Sequence, residues 1–500
     1  MLSQKSMAVH SRKSYGKEGL DYKLFTSRPF KSYKNILLRS GGNDTYEGII
    51  RDPMVTGLAH NADIEVQAWR PCLLLVNGEN LGLYHMREKV NEHYLANHYD
   101  LNPNHVHIMF KHNEVRAGSD SQYVAMIDYA KKNDLKSSAH YEWMKEQMDV
   151  ANYAAYQVVE IYAANADWPG NNIKYWRHRA EGNKWRWILY DTDQTFDIWE
   201  GKAPAHINTL NHALTGTSDN SPSRLLLNAL IANQEFVNLF VVTLTDFLNT
   251  HLKTSVVKKH IDSLRNDIDP FLSYQWSSKY SMHDEHYGLD ANISKMKRFA
   301  EDRPDNVLGH FRSKFGLGSM VELGIKTEGT GSVKLTSHAF VKGNWSGDYF
   351  QNVPVVLTAT PVDGHPFEGW SGGISSKDLS ITLPMHSATS VTAKFGNDPN
   401  YKAPKAPPVV KIPVPVKSGI KLRTGLQLQL VQNQLAVDLP QTGNFSLTLL
   451  NLKGKVISHQ NLHGHAGVNM IPLNAENGMI IARVRQGTQM RSIMLPKVFH

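Results

Sequence analysis

The residues of this 500-residue chain best placed to do chemistry lie between Asn165 and Phe196, in NADWPGNNIKYWRHRAEGNKWRWILYDTDQTF. Asp167 stands in a turn, with Asn171 and Asn172 four and five residues on. Asp191 and Asp193 follow the run KWRWILY. An Asp and an Asn, then a hairpin, then further Asp residues suit phosphoryl transfer. One carboxylate orients or deprotonates the attacking hydroxyl, and the Asn and later carboxylates hold a magnesium ion against the phosphates. Single Asp and Asn residues also populate turns for backbone reasons, so it is the whole constellation that points to this chemistry.

Such residues need rigid support. IKYWRHR and KWRWILY, joined at Glu181-Gly182-Asn183, predict two strands dense in Trp, Tyr and Ile that bury well. A helix over 140–165 delivers the chain to Asp167, with Tyr153, Tyr156, Val159 and Ala163 at helical spacing. Upstream, 33–44 reads as a strand ending in a Gly-Gly turn that fits neither phosphate-loop fingerprint. A helix over 47–60 follows. Then comes a hairpin turning at Asn77-Gly78, whose second strand ends at Arg87 and Glu88 before another helix. That charged pair is placed to contact a nucleotide or to pair within the fold. A helix is expected over 120–132. After the acidic cluster helices run to about residue 315, one of them with Ser223 as a possible cap. From about 319 the pattern turns to strands with Gly, Ser and Thr turns. The stretch PVDGHPFEGWSGG (361–373) is expected to hold a core Trp. PNYKAPKAPPVVKIPVPV is a Pro-rich spacer, and short strands resume from 417 as a small β-sandwich.

A hydrophobic content of 41% and 35 glycines fit ordinary globular protein. The net charge of +8 is dispersed over the chain and gives no nucleic-acid stripe. The single cysteine, Cys72, excludes an intrachain disulfide or a cysteine zinc site, and its apolar run suggests a small buried hydrophobe. The 24 histidines show no HExxH or paired metal spacing. No run of about 18 apolar residues predicts a transmembrane segment, and the start LSQKSMAVHSRKSYG shows no signal peptide. It alternates like a strand, so the expectation is that the chain begins inside a domain.

Five ordered motifs carry a resemblance over residues 1–316: QKSMAVHSRKSYG, LLRSGGND with IIRD, RPCLLLVNGENLGLYHMREKVNEHYL, NADWPGNNIKYWRHR and KWRWILYDTDQTF. Together they resemble the CotH (spore coat protein H) kinase family. The resemblance implies an α+β fold with an atypical protein-kinase-like domain, N-terminally truncated here, followed by two small all-β modules. It implies a secreted or cell-surface enzyme that uses ATP and Mg2+ or Mn2+ to phosphorylate Ser or Thr of a protein substrate. Asp167 would be the catalytic Asp. Asp191, Asp193, Asn172 and Asn171 would serve the metal. Lys5, Arg87 and Glu88 would lie toward the nucleotide, Lys5 reaching the phosphates. The Gly- and Ser-bearing strand region that usually precedes the first motif is absent, which bears on ATP binding. Residues 319–396 resemble an internalin-type β-repeat. Beyond a linker at 397–416, residues 417–500 resemble a type IX secretion sorting domain. Both imply export, and the modules are candidates for cell-envelope or polysaccharide contact.

Two other functions compete. One is a non-catalytic surface or adhesion protein on a kinase-like scaffold, since fold does not fix function. The other is a metal-dependent hydrolase using the same acidic cluster, disfavoured because no histidine stands beside Asp191-Thr192-Asp193.

Overall fold

The computed structural model describes residues 4–16, 18–180, 182–199, 201–216, 221–280, 288–404, 426–431, 434–451, 455–472 and 480–495. The chain divides into two compact units, Met1–Val414 and Pro415–His500. The class is α+β.

The first unit opens with β1 (Met7–His10), β2 (Leu20–Asp21), β3 (Ser32–Tyr33) and β4 (Asn35–Arg39). A Gly-Gly turn leads into α1 (Arg51–Leu58) and β5 (Glu65–Val66). The expected hairpin is β6 (Trp69–Val76) with β7 (Glu79–Glu88), turning through Asn77 and Gly78, both at positive φ. Asn and Gly are the residues that tolerate that region. The sheet order is β1-β4-β7-β6. Cys72 on β6 is half-buried rather than buried.

After α2 (Glu92–Tyr99) come β8 (Val106–Phe110), β9 (Glu114–Ala117) and α3 (Ser121–Lys132). The helix expected over 140–165 is two helices, α4 (Ser138–Gln147) and α5 (Val150–Ala163). The break has a tertiary cause. Met148 bridges Trp185, the Asp149 amide donates to Trp185 O at 2.9 Å, and the Asp149 side chain caps α5 on the Asn152 amide at 3.1 Å.

The aromatic hairpin is β10 (Lys174–His178) with β11 (Arg186–Leu189), in a second sheet ordered β5-β11-β10-β8-β9. Tyr175, Trp185 and Trp187 are buried, and Tyr153 of α5 meets Trp187 edge-on at 4.5 Å. This places the hairpin on the core helix.

Helices α6 (Thr209–Thr215), α7 (Pro222–Leu230), α8 (Gln234–Asn249), α9 (Thr254–Trp276) and α10 (Leu289–Phe315) complete this part. The cap of α7 is Ser221, accepting from the Arg224 amide at 3.4 Å, and not Ser223. Pro222 holds the first helical position, where a missing N–H costs nothing.

Residues 320–395 form two four-stranded sheets: β12 (Met320–Glu328), β13 (Gly331–Lys334), β14 (Phe340–Val341), β15 (Asn344–Phe350), β16 (Val355–Pro361), β17 (Phe367–Gly372), β18 (Ser380–Leu383) and β19 (Thr389–Phe395). Trp370 is buried and donates to Asp378 O at 2.9 Å, the core role expected of it. The module packs on α8. Asp246 accepts from Tyr349 Oη at 2.7 Å and from the Ser337 amide at 2.8 Å, while Asn249 exchanges two hydrogen bonds with the Asp348 backbone.

The Pro-rich stretch lies outside the described residues from 405 onward. The second unit holds β20 (Gln427–Val431), β21 (Gln434–Leu439), β22 (Gly443–Asn451), β23 (Val456–Gly464), β24 (Gly467–Pro472), β25 (Ile480–Gln486) and β26 (Gln489–Leu495). They make sheets β20-β21-β24 and β23-β22-β25-β26 around a separate core that includes Leu435, Val437, Leu447 and Val484.

Candidate functional site

Two turns make the site, and both leave well-buried elements. The first follows α5. Ala164 adopts left-handed geometry and ends the helix. The buried Arg303 of α10 donates to the last carbonyls of α5, to Tyr162 O at 2.9 Å and to Ile161 O. A cation there offsets the negative helix end. Asn165 then accepts the Asp167 amide at 3.0 Å. The second turn follows β11, with Asp191 at φ 59°. Asn172 shares that left-handed geometry at φ 54°. Asn and Asp visit this region more readily than other side chains.

The turns meet. Asp167 Oδ2 accepts from Asn171 Nδ2 at 2.9 Å and from Asn172 Nδ2 at 3.0 Å, and Asn172 Nδ2 also reaches Asp191 O at 3.2 Å. The Ala166 amide donates to Gln194 O at 2.9 Å. Asp167, Asn171, Asn172 and Asp191 are thus one cluster, and Asp167 is half-exposed.

The first sheet closes the site from the other side. Arg39, at the end of β4, bonds to Asp191 Oδ1 and to Asp193 Oδ2, the latter at 2.9 Å. The Asn43 amide adds a second donor to Asp193 Oδ2 at 2.8 Å. Gly42 sits at φ 66° directly beneath, where a Cβ would overlap Asp193 Oδ2. Asp52 of α1 accepts from the amide of Thr192 at 3.1 Å and from its hydroxyl at 3.2 Å, fixing the residue between the two carboxylates. Sequence reasoning quoted LLRSGGND and IIRD but gave Arg39, Asn43 and Asp52 no role.

The expected nucleotide contacts are corrected by burial. Arg87 has no exposure. Its Nη1 bonds Asp52 Oδ2 at 2.7 Å and its Nη2 bonds Thr56 Oγ1 at 3.0 Å. Glu88 is buried against Arg28 at 2.8 Å, His98 at 2.9 Å and the Ala68 amide at 2.8 Å. These are internal ion pairs, and Arg87 and Glu88 do not pair with each other. Lys5 is exposed and precedes β1.

A cleft of about 590 Å³ opens beside Asp191. Lys89, Lys111, Arg116 and Lys174 line it with Phe110 and Tyr190. Lys174 lies 4.0 Å over the Tyr190 ring, and burial lowers its pKa to about 8 against the pull of Asp191. Basic side chains around an aromatic floor suit a flat base carrying phosphates.

Asp193 is 2% exposed, and its Oδ1 meets no donor among the described residues. Burial raises its pKa to about 7, opposed by Arg39 and helped by Asp191. No group of three or more His, Cys, Asp or Glu side chains converges among the described residues. Two carboxylates and amide oxygens nevertheless fit magnesium. Mg2+ takes oxygen ligands and is usually held by one or two carboxylates plus substrate phosphates. The unmet Asp193 Oδ1 and Asn171 Oδ1 are oxygens such an ion would use.

Residues 4–307 match the profile of the CotH kinase protein family. The chain belongs to that family. Residues 326–399 match the divergent InlB B-repeat domain. A solved structure, the Helicobacter pylori proinflammatory kinase CtkA, aligns at 7% identity over 56% of this chain and 90% of that one, with a TM-score of 0.26. Comparison with curated proteins found no match.

Proposed function

We propose that this CotH-family protein is an ATP-dependent protein Ser/Thr kinase. The observation that carries this is the Asp167 carboxylate, aimed by Asn171 and Asn172 and joined through Asn172 to Asp191, with those three partners lining a basic cleft that holds Phe110 and Tyr190. The nucleotide lies in that cleft, its phosphates facing Lys174 and Asp191. Asp191 and Asp193 hold Mg2+ or Mn2+, which supplies charge neutralisation of the phosphates when bound. The acceptor hydroxyl gives its proton to Asp167. Its oxygen bonds to the γ-phosphorus, the bond from that phosphorus to the bridging oxygen breaks, and ADP leaves. Holding the hydroxyl in line contributes alongside the proton transfer. Lys5, just before β1, is the further phosphate contact in this reading.

The protein substrate is a surface or coat protein. Secretion rests on the likeness of residues 417–500 to type IX sorting domains, and the β-modules are the parts suited to envelope or polysaccharide contact. One observation favours the scaffold alternative: Arg39 already bridges both carboxylates. A cation must displace or share that guanidinium.

The test is transfer from labelled ATP to casein with Mg2+ or Mn2+. Asp167→Asn and Asp191→Ala are each expected to lower it at least about 100-fold, the usual worth of a positioned acid–base group, with unchanged melting. Wild-type transfer in either variant removes the assignment. No transfer by the parent protein, with no ATP-induced thermal shift, leaves the scaffold function.

A further inference from the structure

We infer that Glu160, on the core helix α5, is a positioning residue for Asp167 and acts through Asn165. The inference rests on the kinase assignment above. Glu160 is fully buried one turn before the end of α5. Its Oε2 accepts from Asn165 Nδ2 at 2.8 Å. Asn165 Oδ1 in turn accepts the Asp167 amide at 3.0 Å. The Asn165 amide also returns to Glu160 O at 3.3 Å. Side chain and backbone of Glu160 therefore both hold Asn165, where the turn that carries Asp167 begins.

Structure alone does not require an acid here. Ala164 and Arg303 already end the helix, so the carboxyl is not needed as a cap. A buried carboxyl costs free energy unless it is hydrogen-bonded. Glu160 has one bonded oxygen, while Oε1 meets no donor among the described residues. Burial pushes its pKa up to about 8, Asn165 and Tyr156 pull it down, and the charge of Asp191 adds to the rise. Tyr156 precedes it on α5, Asn165 faces it from the turn, and Asp191 acts from the end of β11. At neutral pH the folded protein thus keeps the proton, and Glu160 serves as a neutral hydrogen-bond acceptor for Asn165. As pH rises through about 8, an ionised carboxylate appears in the core and repels Asp191. The Asn165 bond persists, and the repulsion is felt at the Asp191 end of the cluster.

Glutamine is nearly isosteric with the protonated acid and offers the same carbonyl to Asn165 Nδ2. The experiment compares Glu160→Gln and Glu160→Ala in the full chain by two readouts. The first is kcat and KM for ATP from pH 6 to 9. Glu160→Ala is expected to lower kcat about tenfold, with KM for ATP within about twofold, as misorientation of one group does. Glu160→Gln is expected to stay near wild type at pH 7 and to lack the fall in kcat above pH 8. The second readout needs no turnover: amide hydrogen exchange of Asn165 to Asp167, accelerated in Glu160→Ala and unchanged in Glu160→Gln. A Gln variant as impaired as the Ala variant, or one that keeps the alkaline fall, overturns the inference. So do equal exchange rates in all three proteins. Should Glu160→Ala fail to fold, Glu160→Gln alone decides by its pH profile and exchange. A parent protein without transfer sinks the kinase assignment, and the exchange comparison still judges Glu160.

Discussion

Two strand ends in this protein carry buried charge, and they are built to opposite specifications. At the end of β7, both oxygens of Glu88 have partners: His98 on one, Arg28 and the Ala68 amide on the other. Past the end of β11, Asp193 Oδ2 takes Arg39 and the Asn43 amide while Oδ1 meets no donor among the described residues. The electrostatics diverge accordingly. Burial alone would push Glu88 up, but the His98 hydrogen bond and the Arg28 guanidinium hold it below the ordinary carboxylate value. At Asp193 burial prevails, and the carboxyl is pushed up to about 7. Burial does not separate structural charge from functional charge. What separates them is whether the fold itself completes the hydrogen bonds.

The two ends are also linked. Arg87 bonds Asp52, and Asp52 bonds Thr192 between the acidic residues. The sharpest way to break the comparison is therefore Arg87→Met. It leaves Asp52 charged in the core, and loss of one partner of a buried pair costs about 3–5 kcal/mol. The expected outcome is a large fall in stability in urea unfolding. A stable variant with only nucleotide affinity lost would put Arg87 back at the nucleotide.

Much of the site was legible because its parts are close in sequence. Asp167, Asn171 and Asn172 lie on one turn, and Asp191 and Asp193 on another, and short-range turn chemistry names both. The hairpin that joins them was readable from its aromatic density. Arg39, Asn43 and Asp52 were not readable as site residues, because they reach Asp191 to Asp193 from about 140 to 150 residues away. No local pattern encodes that approach. Arg87 and Glu88 misled for a related reason: a charged pair at a strand end looks alike whether it faces a ligand or a buried Asp. The break between α4 and α5 failed similarly, since the helical periodicity is continuous and only pairing with Trp185 interrupts it. The two-sheet modules were legible from alternation.

A smaller effect is expected at Glu88 itself. Its folded-state pKa lies below the ordinary 4.5. The stabilisation is therefore present above about 4.5 and is lost as pH falls through the folded value. Glu88→Gln leaves Arg28 its bond to Val66 O at 2.7 Å, so the loss at pH 7 is about 2 kcal/mol, the worth of a charged hydrogen bond. Thermal melting from pH 3 to 7 checks it. The parent curve falls on the acid side, and the variant curve is flatter there. Parallel curves would show that the acid limb arises elsewhere, and Glu88 would lose its place as the completed end of the comparison.

Gly42→Ala tests the other end with the smallest change in stability. Alanine at φ 66° costs about 1–2 kcal/mol through its Cβ. Its methyl group also occupies the space of Asp193 Oδ2 and presses on Arg39 Nη2. Both contacts are side-chain atoms, so they yield, and yielding moves the carboxylate proposed to hold the metal. Nucleotide affinity with Mg2+ should therefore fall about tenfold or more, while the melting temperature drops by only a few degrees. Titration calorimetry with ATP and Mg2+, beside the melting curve, separates the two. An affinity loss out of proportion to the stability loss marks the end of β11 as built for a ligand. Proportionate losses would make its open lone pair no more than a packing defect, and Glu88 and Asp193 would then differ in degree alone.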